Sequence, residues 1–332
     1  MSVETRTVTA DEGDIRLDRW FRRHFPAVTQ GAIQKLCRTG QVRVDGRRAE
    51  AATRLLPGQA VRVPPLPDAA APPPRQSINL DAREQADLQR LVLYRDDQII
   101  ALDKPHGLPV QGGPGIVRHL DAMLDALRFG GDRPRLVHRL DRDTSGVLVL
   151  GRTPGSAAKL AATFRGRDVE KTYWAVVTGR PVPSEGRIDL ALKRTGGPRG
   201  ERTVAAERGD EEAARAITDY RTLDSAAHRL AWLELRPLTG RTHQLRVHCA
   251  ALRTPILGDV KYHEPDQNNA FSALVAGLSD KLHLHARALR LPHPAGGTVM
   301  VEADLQPHMR ETFRTLGFAA PAARAPEREL RG

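Results

Sequence analysis

Cysteine is nearly absent from this chain. Its two cysteines, Cys37 and Cys249, lie far apart with no paired spacing among 332 residues. That excludes a disulfide framework and a cysteine-based zinc site. Long apolar runs are missing too: none approaches the ~20 residues that span a bilayer. The opening MSVETRTVTADEGD carries acids and no apolar core, so it does not read as a secretory signal. These absences predict a cytoplasmic protein with no membrane partner. There is no glycine-rich dinucleotide fingerprint and no P-loop, so no cofactor is expected. His243 and His248 stand five apart and share a helix face poorly, while His283 and His285 alternate on a strand. Without acidic partners at ligand spacing they predict no metal site.

What is present is basic. The net charge is +11, with 51 Lys plus Arg against 40 Asp plus Glu. Arg greatly outnumbers Lys, and its planar fork suits phosphate. A polyanionic partner, most often nucleic acid, follows. At 332 residues, 40% hydrophobic and 27% charged, the chain can build one large core and a small second domain.

The charge is concentrated near the N-terminus. Between Asp14 and Pro64 there are eleven Lys and Arg against four acids, a net of +7. Ile15, Leu17, Trp20 and Phe21 recur at helical spacing, as do Ile33 and Leu36 after Thr29, a candidate N-cap. Gly40 then reads as a helix stop, and Asp45-Gly46 as a hairpin turn between short strands. The segments Arg16-Leu17-Asp18-Arg19-Trp20, Ile33-Gln34-Lys35-Leu36 and Gly40-Gln41-Val42-Arg43-Val44-Asp45-Gly46 resemble the S4 RNA-binding domain over residues 14–64. The resemblance implies that Arg16, Arg19, Lys35, Arg38, Arg43 and Arg47 contact RNA, reading shape and phosphate rather than bases. Residues 1–13 are expected to be flexible. Six prolines in residues 64–74 predict an extended spacer over 65–77. A larger domain would then cover 78–318, and the Ala-, Pro- and Arg-rich residues 319–332 read as a disordered tail.

The most informative segment is His138-Arg139-Leu140-Asp141-Arg142-Asp143-Thr144-Ser145-Gly146, set between the apolar runs 134–137 and 147–150. It reads as strand, polar turn, strand, with its charges at the edge of a sheet. Asp, Ser and Gly are ordinary turn formers. Asp141, Asp143, Ser145 and Gly146 also match the first positions of an EF-hand loop, but Arg152 stands where a bidentate Glu is required. The remaining strand-like runs do not alternate regularly with helices. They predict an α+β domain on a mixed or antiparallel sheet rather than a doubly wound one.

That nonapeptide resembles the catalytic motif of the RluA family of pseudouridine synthases. Three more segments agree in order and separation over residues 91–317: Lys171 to Val177, Gly240 to His248, and Pro255 to Asp259 followed by Tyr262. With the S4-like segment and Pro109 to Gly113, the chain most resembles members that modify 23S ribosomal RNA, notably the C type. His263 stands where the family usually has Gly, and the polar loop 196–212 is long.

The resemblance implies an isomerase that needs no cofactor: it breaks the N1–C1′ bond of uridine, turns the uracil and rejoins it through C5. The base must leave its stack. Asp141 is implied as the essential carboxylate, attacking C1′ or removing the C2′ proton. Arg241 is implied as its cationic partner, Tyr173 as the ring packed on the uracil, and Arg139 as the side chain that fills the vacated space. The implied partner is 23S rRNA or a pre-ribosomal particle, and a monomer is expected. Alternatives are the same reaction on tRNA or another RNA, and a non-catalytic RNA-binding or ribosome-assembly factor. A glycosidase using Asp141 and Asp143 is disfavoured, because residues two apart on extended chain point oppositely.

Overall fold

The computed structural model describes residues 3–26, 28, 30–66, 78–113, 115–166, 168–196, 202–207, 209–210, 213–227, 229–263 and 277–329. It forms two compact units that divide between residues 76 and 77. Thr29 and most of the proline-rich spacer lie outside the described residues.

The first unit places helices α1 (Leu17–His24) and α2 (Gln30–Arg38) with a small sheet. Its strands are β1 (Glu4–Thr7), β2 (Arg43–Val44), β3 (Arg47–Arg48) and β4 (Ala60–Val63), in the order β1-β4-β2-β3. Leu17, Trp20, Phe21, Ile33, Val42 and Val61 form its buried core. The N-terminus departs from the expected flexibility. Residues 4–7 pair in antiparallel register with 60–63, so this polar stretch is an edge strand. Glu12 is buried just after it and accepts the Trp20 indole N–H at 3.0 Å.

The second unit is built on one mixed sheet of eleven strands, with the main path β10-β13-β14-β9-β15-β8-β6-β5. In chain order these are β5 (Val92–Arg95), β6 (Ile99–Lys104), β7 (Arg135–Leu136), β8 (Ser145–Gly151), β9 (Glu170–Thr178), β10 (Glu185–Asp189), β13 (Ile217–Ala226), β14 (Leu230–Pro237), β15 (Leu284–Pro292), β16 (Thr298–Glu302) and β17 (Glu327–Glu329). A separate hairpin joins β11 (Leu192–Thr195) and β12 (Arg202–Ala205). Strands β6 and β8 are buried on both faces. Ile100, Leu102, Leu148 and Leu150 face one core, and Ile99, Ala101, Val147 and Val149 face another. The alternation of side chains across a strand explains this split. Among the described residues, five helices flank the sheet: α3 (Ala82–Arg90), α4 (Leu120–Met123), α5 (Pro154–Arg165), α6 (Gln244–Ala251) and α7 (Pro307–Leu316). Helix α5 starts where Pro154 follows the capping Thr153, whose hydroxyl accepts the Ser156 N–H. Residues 327–329, expected in a disordered tail, instead pair with β16 as β17.

The second unit carries histidines shielded from water, among them His248 in α6 and His285 in β15. Burial pushes His138 down to about 3, and His248, His283 and His285 to about 4. They stay neutral in the folded state down to about pH 4 but protonate in their usual range, near 6.5, when unfolded. Unfolding therefore takes up protons, and stability is lost as pH falls from 6.5 through 4. Asp103 opposes this, because burial raises its carboxyl to about 6. Near pH 5 these four histidines and Asp103 together give a net uptake of about three protons on unfolding, a contribution of roughly 4 kcal/mol per pH unit, and the lowered His106, His243, His293 and His308 act in the same direction. Urea melts of the protein between pH 4.5 and 6.5 measure it, and a flat midpoint would contradict it.

Candidate active site

The charged turn sits where the chain enters β8. Strands β7 and β8 pair through Leu136 and Leu150, so residues 138–144 close an antiparallel connection. The Thr144 N–H donates to the Asp141 carbonyl at 3.2 Å, which makes the turn itself. Lys104 ends β6 behind it. Its buried ammonium donates to the carbonyls of Arg142 (2.8 Å), Leu108 (2.9 Å) and Pro105 (3.0 Å). Burial pushes Lys104 down to about 8, against the pull of Asp143 and Asp141. The Gly107 N–H also donates to the Arg142 carbonyl, at 3.0 Å. His138 accepts the Val149 N–H at Nε2 (2.8 Å) and stacks on Phe164. The turn is thus held at both ends and from below.

Register brings the other groups to it. Gly146 and Ala286 are paired in parallel across β8 and β15, Ala286 faces Tyr173 on β9, and Tyr173 faces Leu235 on β14. A bulge in β15 between Ala286 and Ala288 lies at this level, a common device for re-aiming side chains at a site. Gly146 is the point of closest approach. With φ at +103°, a Cβ there would stand 2.2 Å from the Ala286 carbonyl oxygen. Only glycine fits without moving backbone. Gly146→Ala should cost about 2–5 kcal/mol by strain and overpacking. A thermal melt within about 1 kcal/mol of the parent would refute that close approach.

Asp141 is partly exposed, at 22% for its side chain, with His243 Nε2 3.8 Å from its Oδ2. Burial pushes His243 below its usual range, and the Asp141 charge opposes this. Tyr173 is raised well above the ordinary tyrosine range by burial and then by the Asp141 charge, so its hydroxyl is kept protonated. Arg246 lies one turn into α6 and is buried. It binds Asp259 through two 2.7 Å bonds, and its charge also reaches Asp141. Asp259 in turn accepts the backbone N–H groups of Lys261 (3.0 Å) and Tyr262 (3.2 Å).

Arg241 is not the cation beside Asp141. It precedes α6, is exposed, and its Nε donates to the Arg215 carbonyl at 3.2 Å. Within the same segment, His243 and Arg246 take that place. The sequence signal was present in Gly240 to His248, but only the direction of α6 tells its two arginines apart. Arg139 is exposed on the turn, two residues before Asp141. In the first unit Arg16, Arg19, Lys35, Arg38, Arg43 and Arg47 are all exposed. Arg16 is tied to Asp18 at 2.7 Å, and Arg43 donates to the Gly46 carbonyl at 3.1 Å. Among the described residues no group of three or more His, Cys, Asp or Glu could hold a metal ion.

A carboxylate on a pinned turn, with a histidine 3.8 Å away, the charge of a buried arginine in reach and a half-buried tyrosine, is equipped for chemistry on a flat ring. Comparison with known proteins supplies the family. The family described as RNA pseudouridylate synthase matches residues 98–251, and the S4 domain matches 15–61. RNA pseudouridine synthase 4, mitochondrial, of Arabidopsis thaliana is 37% identical over 83% of this chain and 70% of its own length. The chain belongs to the RNA pseudouridine synthases. Ribosomal large subunit pseudouridine synthase C of Escherichia coli K12 is 32% identical over 95% of the chain and 97% of its own. Among solved structures, the human RNA Pseudouridylate Synthase Domain Containing 4 superposes with a TM-score of 0.60 at 31% identity, covering 71% of this synthase and 97% of that chain. The synthase is therefore an isomerase, with an S4 domain ahead of its catalytic sheet. No helix among its described residues is long and apolar enough to cross a membrane.

Proposed function

We propose that this synthase converts specific uridines of 23S rRNA to pseudouridine, with Asp141 as the essential carboxylate. The observation that carries the reading is the setting of Asp141: a pinned turn, with His243 at 3.8 Å and the Arg246 charge nearby. A carboxylate held in that setting has the placement that a nucleophile at C1′ or a base at C2′ requires. Tyr173 offers a ring face to the flipped uracil, with its hydroxyl held protonated beside Asp141. Arg139, exposed on the same turn, enters the duplex as the base departs. The exposed cations of the S4 domain hold phosphate. Large-subunit rRNA is favoured because the ribosomal relative aligns over 95% of the chain, the S4 segment included. All the named groups come from one chain, and we take the acting species to be a monomer; a cytoplasmic location and a reaction without a cofactor belong to the same reading.

The test is pseudouridine mapping of total RNA from cells lacking the protein, with and without the restored gene. Sites lost in 23S rRNA and regained on restoration are the expected result. Loss confined to tRNA would move the target to that RNA. An unchanged map would leave a non-catalytic RNA-binding factor.

A further inference from the structure

Tyr262 lies between the β11–β12 hairpin and the site, and its hydroxyl is used twice. It accepts the Thr203 backbone N–H from β12 at 3.1 Å and lies 2.8 Å from His243 Nδ1. The Thr203 hydroxyl stands beside the same oxygen as a further donor. With those donors on its lone pairs, the phenol has one hydrogen to give, and His243 Nδ1 is positioned to take it. An imidazole that accepts at Nδ1 carries its proton at Nε2. That Nε2 is the atom facing Asp141.

Independent features point to the same residue. His243 is the N-cap of α6 and sits in left-handed backbone, at φ 54° and ψ 19°. That conformation is uncommon for a residue with a side chain, and such strain gathers at functional sites. Tyr262 is fixed from several directions. Its backbone N–H bonds Asp259, and the guanidinium carbons of Arg202 and Arg246 lie 4.9 and 5.1 Å from its ring centroid. The 3.8 Å gap to Asp141 is too long for a hydrogen bond as it stands. Catalytic hydrogen bonds are often long in the free enzyme and shorten when substrate is bound.

We propose that His243 is a positioning residue for Asp141, a neutral imidazole whose Nε2–H is locked toward the carboxylate by Tyr262 and the β12 backbone. The inference rests on the pseudouridine synthase reading and extends it. On base flipping, His243 donates to Oδ2 and leaves Oδ1 to react. The β11–β12 hairpin acts on the carboxylate through Tyr262, so its placement sets the orientation of Asp141.

The experiment uses the full-length protein and total RNA labelled with [5-³H]uridine from cells lacking it. Tritium leaves when C5 is joined to the ribose. Single-turnover rates and RNA affinity are measured for the parent, Asp141→Asn, His243→Leu, His243→Gln and Tyr262→Phe. His243→Leu should slow the reaction about 10- to 100-fold, the loss expected for one hydrogen bond to a charged group. Its RNA affinity should stay within about threefold, since no phosphate contact is removed. His243→Gln, which keeps an N–H near the Nε2 position, should recover about tenfold of that loss. The ¹⁵N spectrum of the parent, assigned by difference from His243→Gln, should show the proton of His243 on Nε2; Tyr262→Phe should mix the two tautomers. Parent-like rates in His243→Leu, or a proton on Nδ1 in the parent, would overturn the inference while leaving the activity standing. No tritium release from the parent would instead remove the underlying reading. The spectrum is assigned through His243→Gln and not through His243→Leu, so a His243→Leu protein that fails to fold does not leave the lock untested.

Discussion

Asp141→Asn should leave a folded protein that binds RNA and does not isomerise it. The substitution keeps the shape of the side chain and removes its charge. Neither attack on C1′ nor proton removal at C2′ survives that loss. A fall of roughly 10⁴-fold or more is expected, the scale on which enzymes lose rate when an essential nucleophile or base is removed. The turn should hold, because its anchors are Lys104, Gly107 and the Thr144 N–H, and these bond to backbone carbonyls rather than to the Asp141 side chain. RNA affinity should be equal or tighter, since one negative charge leaves a site that receives phosphates. Single-turnover tritium release with a parallel filter-binding curve gives both quantities. Residual activity within about tenfold of the parent would end the case for this carboxylate.

Asp259→Ala should cost the protein much of its stability. Asp259 is fully buried and holds the nearly buried Arg246 by two bonds of 2.7 Å. Removing one partner leaves a buried charge uncompensated, at a cost of about 3–5 kcal/mol. It also frees the backbone of Tyr262, so the melting temperature and the isomerisation rate should fall together. The double variant Arg246→Met with Asp259→Leu separates the two effects. It should regain most of the stability, because an apolar pair tolerates burial. It should not regain activity, because the cation near Asp141 is gone. A loss below about 1 kcal/mol in Asp259→Ala would mean that Arg246 finds another carboxylate.

The parts of the molecule that were legible share one trait. Strands β6, β8, β9 and β14 are apolar runs buried on both faces, and their composition announces them. The nonapeptide was legible because charge between two such runs has nowhere to go but a turn. Strands β10 and β13 were not. They are half-polar, tied by exposed cross-strand pairs such as Arg187 with Asp219, and polar alternation of that kind reads as loop. The edge strand β1 was missed for the same reason: Glu-Thr-Arg-Thr has no apolar signal, and its pairing with β4 is a tertiary fact. In the site, Asp141 and Tyr173 were named from the family motifs, and the structure sets the Asp141 charge against the Tyr173 hydroxyl. The exchange of Arg241 for Arg246 depends on which side of α6 faces inward. The tie from Tyr262 to His243 joins residues far apart in the chain, and no spacing rule reaches across that interval.

The three carbonyls gathered by the Lys104 ammonium have a consequence for the RNA. A turn fixed this firmly does not wait for substrate to take shape, so the work of rearrangement falls on the nucleic acid. The synthase is a stiff mould into which a uridine must swing. Its pace among sites would then follow how readily each uridine breathes out of its surroundings. A nucleotide in a loose loop would be converted sooner than the same nucleotide clamped in a helix. The timing of modification would become a record of when each stretch of the RNA is still free to open.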